Sequence, residues 1–175
     1  MFTKEQVTKM LEEERVNLEK IGIPISKDIC PEIRFAKATS WYGMCEPRRY
    51  HNGRMYKFRI CFSEYHLASD EKSVRNTIIH ELLHTCPDCL NHGPKWQKYA
   101  AVVNAKMSYD IKRCGGDKES AAESLAKGRE EKYGMGHLLE CKKCGAQWKR
   151  TRHSNFTLHP ERYTCRCGGG IELKY

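Results

Sequence analysis

Apolar positions Val7, Met10, Leu11, Leu18 and Ile21 fall on one face of an otherwise charged segment. That spacing predicts an amphipathic N-terminal helix that ends near Gly22 and Pro24 and docks its stripe on a core. Two runs with strand-like alternation follow, EIRFAKATSWYGMCEP (32–47) and MYKFRICFSEYHL (55–67), with HNG between them as a turn. Val74, Ile78, Leu82 and Leu83 then mark a second helix, with Ser69 or Asp70 as its N-cap. It should stop by Cys86, because a proline at 87 disfavours helical backbone before it. A third helix is expected from Pro94, with Trp96, Ala100 and Val103 inward.

The second helix carries HELLH. His80 and His84 stand four residues apart, so their imidazoles project from one face a turn apart and can share an ion. Glu81 lies beside His80, where it can reach a metal-bound water as general base without ligating the metal. A catalytic zinc needs a third protein ligand and one open position. His92, just before Gly93 and Pro94, is the best placed; Asp88, Cys89 or a distant glutamate such as Glu119 or Glu123 are the alternatives. The CPDC between the histidines reads as a tight turn with two small thiols. A metal or redox role would require a partner such as Cys30, Cys45, Cys61 or Cys114.

The last stretch of chain differs in composition. Residues 137–175 contain eight Lys/Arg against three Asp/Glu, within a chain of net charge +9. They also hold ECKKCG and YTCRCGGG, so Cys141, Cys144, Cys165 and Cys167 provide four thiolates on two knuckles, as a closed structural zinc requires. The second knuckle is CxC rather than CxxC, which leaves His153 or His159 as an alternative ligand. Between the knuckles, basic and aromatic side chains interleave. Lys142, Lys143, Lys149, Arg150 and Arg152 are candidate contacts to nucleic acid, with Trp148 as the core residue of a hairpin. The boundary should fall in the polar, glycine-flanked stretch 113–136, which has a short helical pattern. The expected organisation is a domain at 1–112, a linker at 113–136 and a small zinc module at 137–175.

The hydrophobic fraction, 39% of 175 residues, supports a genuine core. No apolar run resembles a signal or membrane segment, so a cytoplasmic protein (nuclear in a eukaryote) is expected, with ten cysteines as thiols and metal ligands. The basic excess points to an acidic partner, nucleic acid such as DNA or an anionic surface.

The stretch IIHELLHTCPDCLNHGPKWQKYA resembles the SprT-like family, in which HExxH is followed by an insert and then by HG and an aromatic residue. ATSWYGMC resembles that family's Trp-Gly-x-Cys strand, with Tyr42 interposed between Trp41 and Gly43. The resemblance covers residues 32–103 and, with its C-terminal zinc ribbon, 138–175. It implies an α+β minimal-zincin fold followed by a β ribbon, a zinc endopeptidase activity and, in the Spartan branch, cleavage of proteins crosslinked to DNA. Tyr42, Tyr99 and Tyr109 are the candidates for an oxyanion-stabilising group. A nucleic-acid-binding zinc protein that keeps the zincin fold only as a scaffold is the competing expectation. The glutamate at 81 argues against it.

Overall fold

The computed structural model describes residues 1–113, 123, 125–128, 130 and 136–174. They form two compact units, Met1–Ala126 and Lys127–Tyr175. Most of the expected linker, with Cys114 and Glu119, lies outside the described residues. Among the described residues no helix is long and apolar enough to cross a membrane.

In the first unit, helix α1 spans Lys4–Lys20. Thr3 accepts from the Gln6 N–H and Gln6 returns a bond to the Thr3 N–H, a capping box that satisfies two orphan donors. Val7, Met10, Leu11 and Leu18 of this helix are buried in the common core, as their spacing predicts. Helix α2, Glu71–Leu83, is capped by Asp70, whose side chain accepts from the Ser73 N–H. Helix α3, Pro94–Met107, starts on the proline and buries Trp96, Ala100 and Val103.

The first strand-like run does not form one strand. It divides into β1, Arg34–Ala36, and β2, Gly43–His51, with β3 at Arg54–Ser63. The sheet order is β1-β3-β2. β2 and β3 form an antiparallel hairpin, and β1 pairs with β3 in parallel. Residues 37–42 carry the chain across β3 from one edge of the sheet to the other. The hairpin turns at Asn52 and Gly53, with φ of +44° and +80°. Two positive φ values are what a two-residue type I′ turn requires, and Asn-Gly supplies them with little strain.

A buried ion network ties α1 to α2. Glu14, fully buried, accepts from Arg75 at 2.6 Å and from the Tyr109 hydroxyl at 2.8 Å, while Arg75 also reaches Glu13 and Glu71. A buried carboxylate is tolerated only when paired in this way.

The second unit holds β4 (His137–Cys141), β5 (Gln147–Arg150) and β6 (Ile171–Leu173) in the order β5-β4-β6. Leu139, Cys141 and Ile171 are buried. Trp148, Phe156 and Tyr163 stack edge to face in series, with centroids 6.0 and 4.9 Å apart, so Trp148 serves the small core as expected.

Candidate metal centres and active-site cleft

Helix α2 places His80 and His84 one turn apart, and the turn before α3 brings His92 to them. The His80 Nε2 lies 3.3 Å from the Nε2 of His84 and 2.8 Å from that of His92. Each of the three residues offers one nitrogen, all within 4.8 Å of one another.

The other ring nitrogens determine the protonation. His84 Nδ1 lies 2.7 Å from the Cys89 carbonyl oxygen, and His80 Nδ1 lies 3.1 Å from that of Lys112. A carbonyl can only accept, so both Nδ1 atoms carry the proton and both Nε2 atoms carry a lone pair. Two lone pairs facing each other at 3.3 Å repel unless a cation lies between them. A tetrahedral ion bound at about 2.0–2.1 Å sets its nitrogens about 3.3 Å apart. The His80–His84 spacing matches that value and the His80–His92 spacing is shorter, so the three nitrogens are compatible with zinc. Burial first, and the neighbouring imidazoles second, push His80 down to about 3; burial also lowers His84 and His92. All three are thus neutral at physiological pH, the form that ligates metal. Trp96 is buried against all three rings, with centroids at 4.8, 5.7 and 4.6 Å from His80, His84 and His92. Among the described residues no other group joins this cluster: Asp88, Cys89 and Glu123 are not part of it.

Glu81 faces the same cleft, a space of about 170 Å³ whose lining includes Trp41, Tyr42, Gly43, Thr77 and His80. Burial pushes its carboxyl up to about 8, while a hydrogen bond from the Cys45 backbone N–H works in the opposite direction, and a cation held by the neighbouring histidines would favour the ionised carboxylate further. The strand β2 approaches very closely here. A Cβ on Gly43 would lie 2.7 Å from Thr77 Cγ2 and 2.8 Å from Glu81 Cγ, so only glycine fits without moving the glutamate. Thr77 is fixed from behind by His66, whose Nε2 lies 2.9 Å from its hydroxyl. Of the three tyrosines, Tyr42 lines the cleft. Tyr109 is committed to Glu14, and Tyr99 packs on the core.

The Cys86–Cys89 turn gathers no further ligands among the described residues. Both thiols are buried, Asp88 takes a φ of +62°, and the Cys89 carbonyl is thereby aimed at His84. Sequence reasoning missed this role, and those of Gly43, Thr77 and the Lys112 carbonyl. Backbone acceptors carry no residue-type signal, although the Trp-Tyr-Gly element pointed to the strand.

In the second unit, Cys141 Sγ and Cys167 Sγ are 3.5 Å apart, and Cys144 Sγ and Cys165 Sγ 3.6 Å. Four thiolates around zinc at about 2.3 Å would stand about 3.8 Å apart, so the cluster is compatible with a zinc ribbon. The two histidines do not join it: the His153 ring lies tilted against His137 at 4.5 Å, and His159 lies 3.4 Å from Glu161. Of the basic candidates, Lys142 lies 3.6 Å from Glu172, Lys143 donates to the Cys167 carbonyl, and Arg150 stands over the Phe156 ring. Lys149 and Arg152 are exposed.

None of the curated proteins is similar enough to match the chain. The family model described as the SprT-like family matches residues 14–115, which include α2, all three histidines, Glu81 and the glycine strand. With a metalloprotease-like cleft built from those matched residues, the chain belongs to the SprT-like family.

Proposed function

We propose that the protein is a zinc-dependent endopeptidase acting on DNA-associated proteins. The observation that carries the reading is the convergence of three Nε2 atoms beside the buried carboxylate of Glu81. Zinc held by His80, His84 and His92, when bound, polarises the scissile carbonyl and makes water nucleophilic near neutral pH. Glu81 takes the proton of the attacking water on a carboxylate oxygen and returns it to the leaving amine nitrogen. The Cys45 N–H holds that carboxylate in place. Burying an ionisable side chain is costly, and a non-catalytic scaffold would have no use for Glu81 in a cleft, which favours the enzyme over the scaffold.

β2 is an edge strand and enters the cleft at Gly43, so an extended peptide can pair with its open backbone and present a bond to Glu81. The second zinc, on the four cysteines, would hold the ribbon together, and its exposed lysines and arginines would contact phosphates. A net charge of +9 supports a DNA partner, and a cytoplasmic or nucleoid setting follows from that partner. Cleavage of one protein, free in solution and bound to DNA, tests the reading. Faster loss of the bound form supports it, and no cleavage of either form refutes it.

A further inference from the structure

The outer half of the β2–β3 hairpin takes no part in the cleft. Between Glu46 and Glu64 the chain has five Lys/Arg and no Asp/Glu. Beyond Pro47 both strands leave the core, and Arg48, Arg49, Tyr50, Arg54, Met55 and Lys57 are exposed. Pairing determines which of them share a face. His51 opposes Arg54 and Arg49 opposes Tyr56. Each basic side chain there has a carboxylate at 3.0 Å: Arg49 reaches Glu46, which Arg34 and Arg59 share, Arg54 reaches Asp28, and the His51 Nε2 lies beside Glu32.

The other face is different. It carries the Tyr50–Met55 pair, 65% and 57% exposed, an apolar surface too open for a core role. Lys57 shares the face of Met55 by alternation, and Arg48 stands two residues before Tyr50. Arg48 has a φ of +50°, and the Arg48–Lys57 rung is missing from an otherwise continuous ladder. Among the described residues neither cation has an acidic partner.

We propose that this face is a second nucleic-acid contact, in which an unpaired base stacks on Tyr50 while phosphates lie against Arg48 and Lys57. The occupant follows from charge complementarity: two unmatched cations flank an exposed aromatic ring, and no acidic residue lies within the segment. Stacking on a ring requires an unstacked base, so the ligand is single-stranded. The inference rests on the reading that the substrates are associated with DNA, and it adds where the strand would lie. β2 runs nine residues from the cleft to the hairpin tip, about 25 Å at roughly 3.3 Å per residue. A strand on the outer hairpin would hold an attached protein within reach of Glu81.

The test uses the full zinc-loaded chain with labelled single- and double-stranded oligonucleotides over a range of salt. Arg48→Ala/Lys57→Ala should flatten the slope of log K against log salt by about 1.4, at roughly 0.7 per lost single-strand contact. Tyr50→Ala should weaken single-strand binding about 5-fold or more, and Tyr50→Phe should preserve it. All these side chains are exposed, and unchanged thermal midpoints confirm that the fold is intact. Parental affinity and slope in the hairpin variants, alongside weakened binding by Lys149→Ala/Arg150→Ala/Arg152→Ala, would overturn this contact and leave the DNA reading standing. A parent that cleaves protein but binds no oligonucleotide would overturn both. Hairpin variants that keep oligonucleotide binding but lose cleavage of a free protein would assign the face to the protein substrate and overturn the proposal.

Discussion

His84 donates its Nδ1–H to the carbonyl oxygen of Cys89 at 2.7 Å, and this bond is what the CPDC turn contributes to the metal centre. It fixes the ring's tautomer and direction, as outer partners of ligating histidines do. The contribution is made by the backbone, not by sulfur. The Cys86→Ser/Cys89→Ser variant should therefore keep its metal content and fold. Asp88→Val should behave differently, because Asp88 has a φ of +62°, which a β-branched residue resists. Moving the Cys89 carbonyl should weaken metal binding at the histidines by about 10–100-fold, the usual cost of losing such a partner. Chelator competition on both variants measures this, and loss of one metal equivalent in the serine variant would restore a ligand role for the thiols.

Two clusters predict two zinc ions per chain. The four-thiolate site closes its coordination shell and should hold its ion more tightly than the three-histidine site, which leaves a position open. Elemental analysis before and after mild chelation should show one ion leaving first. His84→Ala should lack that ion and Cys141→Ser the other. A single ion that survives His84→Ala but is lost in Cys141→Ser would remove the catalytic assignment.

Glu81 and Gly43 make a linked prediction. Glu81→Gln keeps the side chain's size but not its basicity, so metal content and DNA affinity should persist while hydrolysis falls by about 10²–10⁴-fold. Gly43→Ala leaves every functional group in place, yet its Cβ would meet Thr77 and Glu81 at under 3 Å. Hydrolysis should fall there too, with metal retained, because the carboxylate is displaced. Parental rates in Glu81→Gln would assign the proteolysis to another site.

Much of this was legible in the sequence. HELLH announced its geometry because helical periodicity converts a four-residue spacing into adjacency, and His92 was marked by the Gly-Pro that starts α3. Cysteine spacing likewise revealed the ribbon cluster. The run at 32–47 was less transparent: its alternation is genuine, but only the assembled sheet shows that β1 and β2 occupy opposite edges of β3. The Cys89 and Lys112 carbonyls were invisible, since any residue supplies a carbonyl and only tertiary structure aims it. The same holds for Gly43, whose need to be glycine comes from a helix more than thirty residues later.

His66 gives the pH prediction. It is fully buried behind the cleft, with Ser69 Oγ at 2.7 Å from Nδ1 and Thr77 Oγ1 at 2.9 Å from Nε2, and it stacks on Phe62 with Tyr42 tilted against it. Hydroxyls can donate or accept, so both nitrogens of the neutral ring find partners. Burial lowers its pKa from 6.5 to about 4, although a hydrogen bond to the Ser73 backbone and, more weakly, the charge of Asp70 pull the other way. The sign follows from proton binding. Between pH 6.5 and about 4 the unfolded chain binds a proton that the folded chain refuses, so stability is fully present above 6.5 and is lost as pH falls through this window. At about 1.4 kcal/mol for each pH unit, the loss is roughly 3 kcal/mol. Acid also protonates the metal ligands, so the informative quantity is a difference between two metal-loaded proteins. His66→Gln retains a hydrogen-bonding side chain without the titration. It should be less stable than the parent at neutral pH, where the stacked ring is lost, and the gap should narrow toward pH 4. Denaturant midpoints for both proteins across that range provide the measurement, and a gap that stays constant with pH would show that His66 is not the buried neutral base described here.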